Sequence, residues 1–182
     1  MKIHEICFSP TGGTKRVSSM LSRALTDETV EVDLTAREVD FGQVELSPEE
    51  VALIAVPSYS GRVPTVAAAR LAAMHGNGAR AVLLCVYGNR AYEDTLVELR
   101  DKASGAGFKV IAAVAAVAEH SIARQYAAGR PDAEDEAMLR SFAARIRRKI
   151  DDGGLDEPVI PGNPPTARLQ VPASFPRQRA PA

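Results

Sequence analysis

Three hydroxyl side chains and two adjacent glycines fall within six positions of this chain, at Ser9, Thr11, Gly12, Gly13 and Thr14. Glycine lets backbone N–H groups turn toward a ligand, and hydroxyls add donors without charge. The set follows a short apolar run, Ile6-Cys7-Phe8. It precedes Val17, Met20, Leu21, Ala24 and Leu25, which recur at helical spacing. A strand–loop–helix of this kind presents unpaired N–H groups and the positive end of the helix dipole, a cradle for a phosphate monoester. The same hydroxyls also suit an ordinary helix cap. Lys15 and Arg16 oppose the dipole in the first turn, and a bound dianion would reverse that sign. Neither G-x-x-x-x-G-K-[ST] nor G-x-G-x-x-G occurs, so the ATP-type and dinucleotide loops are excluded as motifs.

Two further loops carry unusual chemistry, Pro57-Ser58-Tyr59-Ser60-Gly61-Arg62 and Tyr87-Gly88-Asn89-Arg90-Ala91-Tyr92. The chain has 4 tyrosines and 5 phenylalanines, and three of the tyrosines sit in these loops. Tyrosine offers a flat face and a hydroxyl that tolerates water. A phosphate cradle beside two aromatic–glycine loops describes a pocket for flavin mononucleotide (FMN). Tyr59 has no periodic partner and reads as a stacking residue. Tyr92 is spaced with Leu96 and Leu99, so core packing is an equal reading. Arg62 reads either as a solvated charge or as a contact to the ring system or a partner, and near the ring it would tune the flavin.

These loops must be held by a scaffold. Strands are expected at Lys2–Phe8, Thr29–Leu34, Val51–Val56, Ala81–Val86 and Lys109–Ala118, and helices at Thr14–Leu25, Val66–Met74, Tyr92–Ser104 and Ala133–Asp152. Thr65 and Asp132 are the expected caps of the second and fourth helices. Alternating strands and helices argue for an α/β fold, an open five-stranded parallel sheet with helices on both faces. The order 2-1-3-4-5 brings the first, third and fourth strand ends to one mononucleotide site. Thr35–Glu50 holds at most a turn of helix. From Gly153 onward the periodicity stops, and seven of the 12 prolines lie there. Residues 1–152 are therefore expected to form the domain, and residues 153–182 a linker or surface-wrapped extension.

Bulk properties narrow the classes. With 182 residues, 46% hydrophobic, 25% charged and a net charge of −1, the chain suits one soluble domain and has no bias toward nucleic acid or anionic membrane. Its longest apolar run, Val110 to Ala118, is too short to span a bilayer. His4 and Glu5 interrupt any secretory signal, and Cys7 and Cys85 lie in expected strands as buried thiols, which points to the cytoplasm. Cys7 and Cys85 fall on the first and fourth strands, too far apart to bridge. No metal site is expected, because His4, His75 and His120 are scattered and no cysteine pair accompanies them. Glu119 and His120 fall at the carboxyl edge beyond the fifth strand, at the pocket rim.

The stretches FSPTGGTKRV at 8–17, VPSYSGRVP at 56–64, VYGNRAYED at 86–94 and AEHSI at 118–122 resemble the flavodoxin family. They are most similar to the flavodoxin-like domain that precedes a ferredoxin domain in many anaerobic bacteria. The resemblance covers roughly residues 1 to 150. It implies bound FMN and electron transfer between redox partner proteins of ferredoxin or reductase type. Ser9, Thr11, Gly12, Gly13 and Thr14 would hold the phosphate. Pro57, Ser58, Tyr59, Ser60, Gly61 and Arg62, with Tyr87, Gly88, Asn89 and Tyr92, would surround the ring. Two departures stand out: no cysteine follows Cys85, so no iron–sulfur motif occurs, and the charge of −1 is far from the strongly acidic flavodoxin pattern. An FMN-binding electron-transfer protein is the leading expectation. The alternatives are an NAD(P)H-dependent flavin or quinone reductase on the same fold, and a flavin-free interaction module.

Overall fold

The computed structural model describes residues 1–163. Five strands form one parallel sheet: β1 (Lys2–Cys7), β2 (Glu28–Asp33), β3 (Val51–Pro57), β4 (Arg80–Tyr87) and β5 (Lys109–Val117), in the order β2-β1-β3-β4-β5. The expected topology is the observed one. Four helices connect or flank them: α1 (Gly13–Leu25), α2 (Thr65–Ala72), α3 (Thr95–Gly105) and α4 (Ala133–Asp151).

β3 and the middle of β4 are continuously apolar because both faces are covered, while β1 buries His4 and Glu5 among its apolar residues. Val51, Leu53 and Ala55 of β3 pack into one core with Val17, Leu21 and Leu25 of α1 and Leu139, Ile146 and Ile150 of α4. Their neighbours Ala52, Ile54 and Val56 point the other way, into a core with Leu71 of α2 and Leu96 and Leu99 of α3. This alternation is the period of a strand. β2, with Glu28, Glu31 and Asp33, is an exposed and charged edge, which discourages pairing with another chain.

Strand limits agree with the sequence expectation to within one residue. The helix starts differ for identifiable reasons. Pro64, not Thr65, occupies the cap position of α2, and no side chain caps that helix. α3 begins at Thr95 because Tyr92–Asp94 form a turn, closed by Thr95 N donating to Tyr92 O at 3.0 Å, with Glu93 at φ 44°. Asp132 does cap α4, accepting from Glu134 N at 2.9 Å and Asp135 N at 3.1 Å, while Asp135 returns a bond to Asp132 N. Between β2 and β3 the only helical piece is a 3-10 turn at Phe41–Gln43, with Phe41 buried beneath Arg70.

Cys7 and Cys85 are both free and buried, separated by β3. Burial pushes each thiol up to about 12, so neither is a nucleophile at neutral pH. Of the extension expected at 153–182, residues 153–156 stay against the end of α4 and residues 157–163 run back along α3. Glu157 meets Arg100 at 3.5 Å, Ile160 packs on the core, and Asn163 N donates to Asp94 Oδ1 at 2.8 Å. Residues 164–182 lie outside the described residues. Among the described residues no helix is long and apolar enough to cross a membrane.

Candidate functional site

The carboxyl ends of β1, β3, β4 and β5 lead into four loops that enclose a cavity of about 490 Å³, within the usual range of ligand pockets. The first loop is built locally. Phe8 N donates to Ala55 O at 2.9 Å and anchors the strand end, and Gly12 N donates to Ser9 O at 3.3 Å. Gly12 then takes φ 85° and serves as the cap of α1, a conformation open to glycine at little cost. The backbone N–H groups of Thr11, Gly13 and Thr14 have no hydrogen-bond partner among the described residues. Thr11, Gly13 and Thr14 face the cavity. These are the orphan donors of a helix start, joined by two threonine hydroxyls.

Ser9 has a different place. Its Oγ accepts from Lys15 N at 2.9 Å, and the residue lines a small cleft beside β2 rather than the main cavity. Lys15 is also accounted for without a ligand. Its Nζ lies 3.1 Å from Glu5 Oε2 and 3.0 Å from Glu31 Oε1. Burial opposes its charge, but hydrogen bonds to Glu31 and Glu5 outweigh that and raise its pKa. The clue read from Lys15 as a cation in the first turn therefore has a structural answer. Glu5, 2% exposed on β1 and also accepting from Ser19 Oγ, is what requires the lysine.

The second loop is held by distant residues. Ser58 N donates to Val86 O at 2.9 Å, and Ser58 Oγ shares a hydrogen bond with Thr95 Oγ1 at 2.8 Å. Tyr59 and Arg62 exchange two backbone bonds of 3.0 Å, closing a tight turn with Ser60 at φ 51° and Gly61 at φ 75°. Glu98 on α3 locks this turn: its Oε2 accepts from Arg62 Nε at 2.8 Å and from Val63 N at 3.0 Å. Burial by itself would raise the Glu98 carboxyl, but the guanidinium and the N–H prevail and hold it below the usual range. Arg62 thus points to α3 and does not line the cavity. Pro57, Ser58, Tyr59 and Ser60 do. Gly61 lies behind them against Glu93.

In the third loop Tyr87 and Gly88 line the cavity, whereas Asn89 and Tyr92 do not. Asn89 holds a left-handed turn at φ 66°. Tyr92 backs the wall, its ring edge-on to Tyr87 with centroids 5.4 Å apart, and packs on the core as its spacing with Leu96 and Leu99 allowed. The fourth loop completes the enclosure. Ala118 N donates to Tyr87 O at 3.0 Å, and His120 lies with its ring against Gly88. His120 Nδ1 accepts from Ile122 N at 3.2 Å and Ala123 N at 3.1 Å, so the neutral ring carries its proton on Nε2. Glu119 binds Gly129 N at 2.9 Å and Arg124 Nε at 2.5 Å. Ser121 and Ile122 extend this wall and had no signal beyond their place in AEHSI at the sheet edge.

No family model matches the sequence, and no curated protein matches it. Solved structures do match in fold. An NADH:FMN oxidoreductase in its apo form superposes with a TM-score of 0.58 at 12% identity, over 82% of this chain and 90% of that one. Oxidised flavodoxin 1 from Bacillus cereus gives 0.55 at 16% identity, over 81% and 98%. Rubredoxin oxygen:oxidoreductase from Desulfovibrio gigas gives 0.57 at 13% identity over 83% of this chain, which spans only 36% of that protein's length. With the strand order, the four helices and the carboxyl-edge cavity, these likenesses establish that the chain has the flavodoxin-like fold.

Proposed function

We propose that this chain binds FMN in the four-loop cavity and acts as a cytoplasmic electron-transfer protein between redox partner proteins. One observation carries the reading. Thr11, Gly13 and Thr14, whose backbone N–H groups have no partner among the described residues, line the same cavity as Tyr59 and Tyr87. A phosphate needs the first group of residues and a planar ring needs the second. The donor set fits the cofactor chemically: the cavity wall on the β1, β3 and β4 side is neutral, and the one acid of the wall, Glu119, is tied to Arg124 and Gly129.

The flavin, when bound, supplies the one- and two-electron chemistry. The chain's task is positioning. Thr11, Gly13 and Thr14 hold the phosphate through N–H and hydroxyl donors. Tyr87, wedged by Tyr92, offers a fixed aromatic wall, while Tyr59, 46% exposed, offers an outer face at the rim. His120 Nε2–H adds a neutral donor on the β5 side. A partner of ferredoxin or reductase type would meet the exposed rim.

Absorption spectra of the purified protein, with and without added FMN, test the reading, together with titrations of FMN and riboflavin. A bound-flavin spectrum and a clear preference for FMN are expected. Failure to take up FMN would leave the flavin-free interaction module, and steady oxidation of NADH with a quinone would make the chain a reductase.

A further inference from the structure

A second cavity, of about 410 Å³, lies on the far side of the first loop, between the start of α1 and the segment 118–131. The two cavities meet along Thr11 and Gly13 of the first loop and along Ala118, Glu119 and Ser121 beyond β5. The first-loop side is open, since nothing lies within 4 Å of where a Cβ at Gly12 or Gly13 would stand. What distinguishes the second cavity is charge. Arg16, Arg124 and Arg130 line it, against a single lining carboxylate, Glu119.

The partners of the three arginines differ. Arg130 is committed to Asp135, with Nε 2.8 Å from Oδ2 and a second bond to Oδ1. Arg124 is paired with Glu119, which Gly129 N also holds, and the arginine side chain itself is exposed. Arg16 is exposed, and its only side-chain hydrogen bond among the described residues is from NH2 to Pro131 O at 2.9 Å, a neutral carbonyl. It makes no direct ion pair among the described residues, and the carboxylate that feels its charge is Glu119 of the same cavity. Arg16 projects from the first turn of α1, where a cation opposes the helix dipole. Unlike Lys15, it touches no carboxylate among the described residues.

We propose that the second cavity is an anion subsite for the second phosphate of an organic diphosphate, with Arg16 as its principal ligand and Arg124 as its second. The inference rests on the phosphate assignment of the first loop, because the two cavities meet there. A planar guanidinium binds phosphate oxygens in pairs, so Arg16, which has no direct ion pair among the described residues, and the exposed end of Arg124 would orient the group. The diphosphate has two sources. It could belong to the flavin itself, as flavin adenine dinucleotide (FAD), or to a dinucleotide that binds beside FMN.

Titrations of FMN, FAD and adenosine diphosphate (ADP) into wild type, Arg16→Ala and Arg124→Ala separate the cases. If the flavin brings the diphosphate, FAD binds the flavin-free protein about ten-fold or more tighter than FMN. Arg16→Ala then removes the difference while FMN affinity holds. If a separate dinucleotide brings it, FAD has no advantage, ADP binds the FMN-loaded protein, and both arginine variants weaken it. The proposal is overturned if FAD has no advantage and ADP does not bind. It is also overturned if Arg16→Ala weakens FMN as much as FAD, which would put Arg16 on the first phosphate. Should no flavin bind at all, the FMN reading falls by itself. ADP binding to the flavin-free protein, and its loss in Arg16→Ala, still decides the subsite.

Discussion

The first loop and the second loop lie across one cavity and are built in opposite ways. The first is held by bonds a few residues apart, Gly12 N to Ser9 O and Lys15 N to Ser9 Oγ, and needs one left-handed residue, Gly12. It leaves donors open and space around them. The second is held by residues 36 and 35 positions away, through Glu98, and its turn spends Ser60 and Gly61 in left-handed backbone. Non-glycine residues in that region are strained, and the surrounding contacts must hold them there. One loop is therefore a set of open donors on a helix end, and the other is a shape imposed from outside.

That contrast predicts separable losses. Replacing both Thr11 and Thr14 by alanine should weaken FMN at least about a hundred-fold, since a hydrogen bond to a charged group is worth about 1.5–3 kcal/mol. Riboflavin affinity should stay within a few-fold. Parallel titrations of the two flavins decide it, and equal losses would mean that the first loop does not meet the phosphate.

Glycine substitutions probe the space around each loop. Gly12→Ala should cost only the left-handed penalty of about 1–2 kcal/mol, because its Cβ position is open. Gly61→Ala has the same penalty at φ 75° and also places a Cβ 2.2 Å from Glu93 Oε2 and 2.8 Å from Glu93 Cβ. Overpacking adds about 1–3 kcal/mol. Urea unfolding of both variants should rank Gly61→Ala as the more damaging, and the reverse order would undo the contrast.

The Glu98 tie is the subtler lever. Glu98→Gln should cost about 1–3 kcal/mol, the loss of charge-assisted bonds to Arg62 and Val63. It should also weaken FMN and riboflavin by the same factor, because it loosens the ring side. Its pH signature has a defined sign. Glu98 sits below its ordinary value of 4.5 in the folded protein, so its contribution is complete above that pH and is lost as pH falls through the folded value. Wild-type stability should drop on acidification from pH 4.5 more steeply than that of Glu98→Gln. Parallel curves in urea would show that the pair is too solvated to matter.

The sheet order and the donor-rich first loop were legible because their causes are local. Apolar runs in β1, β3 and β4 announce strands covered on both faces, and Ser9–Thr14 announces a helix start rich in donors. Asp132 was legible as a cap for the same reason, a side chain bonding two N–H groups within its own turn. Tertiary contacts alone determined what each polar side chain faces. Arg62 turns to Glu98, Lys15 to Glu5 and Glu31, and Ser9 back to its own helix, while Arg16 is left toward an open cavity. Long cationic side chains reach whichever carboxylate the fold brings near. The four carboxyl ends meet from strands dozens of residues apart, so no spacing along the chain records those choices.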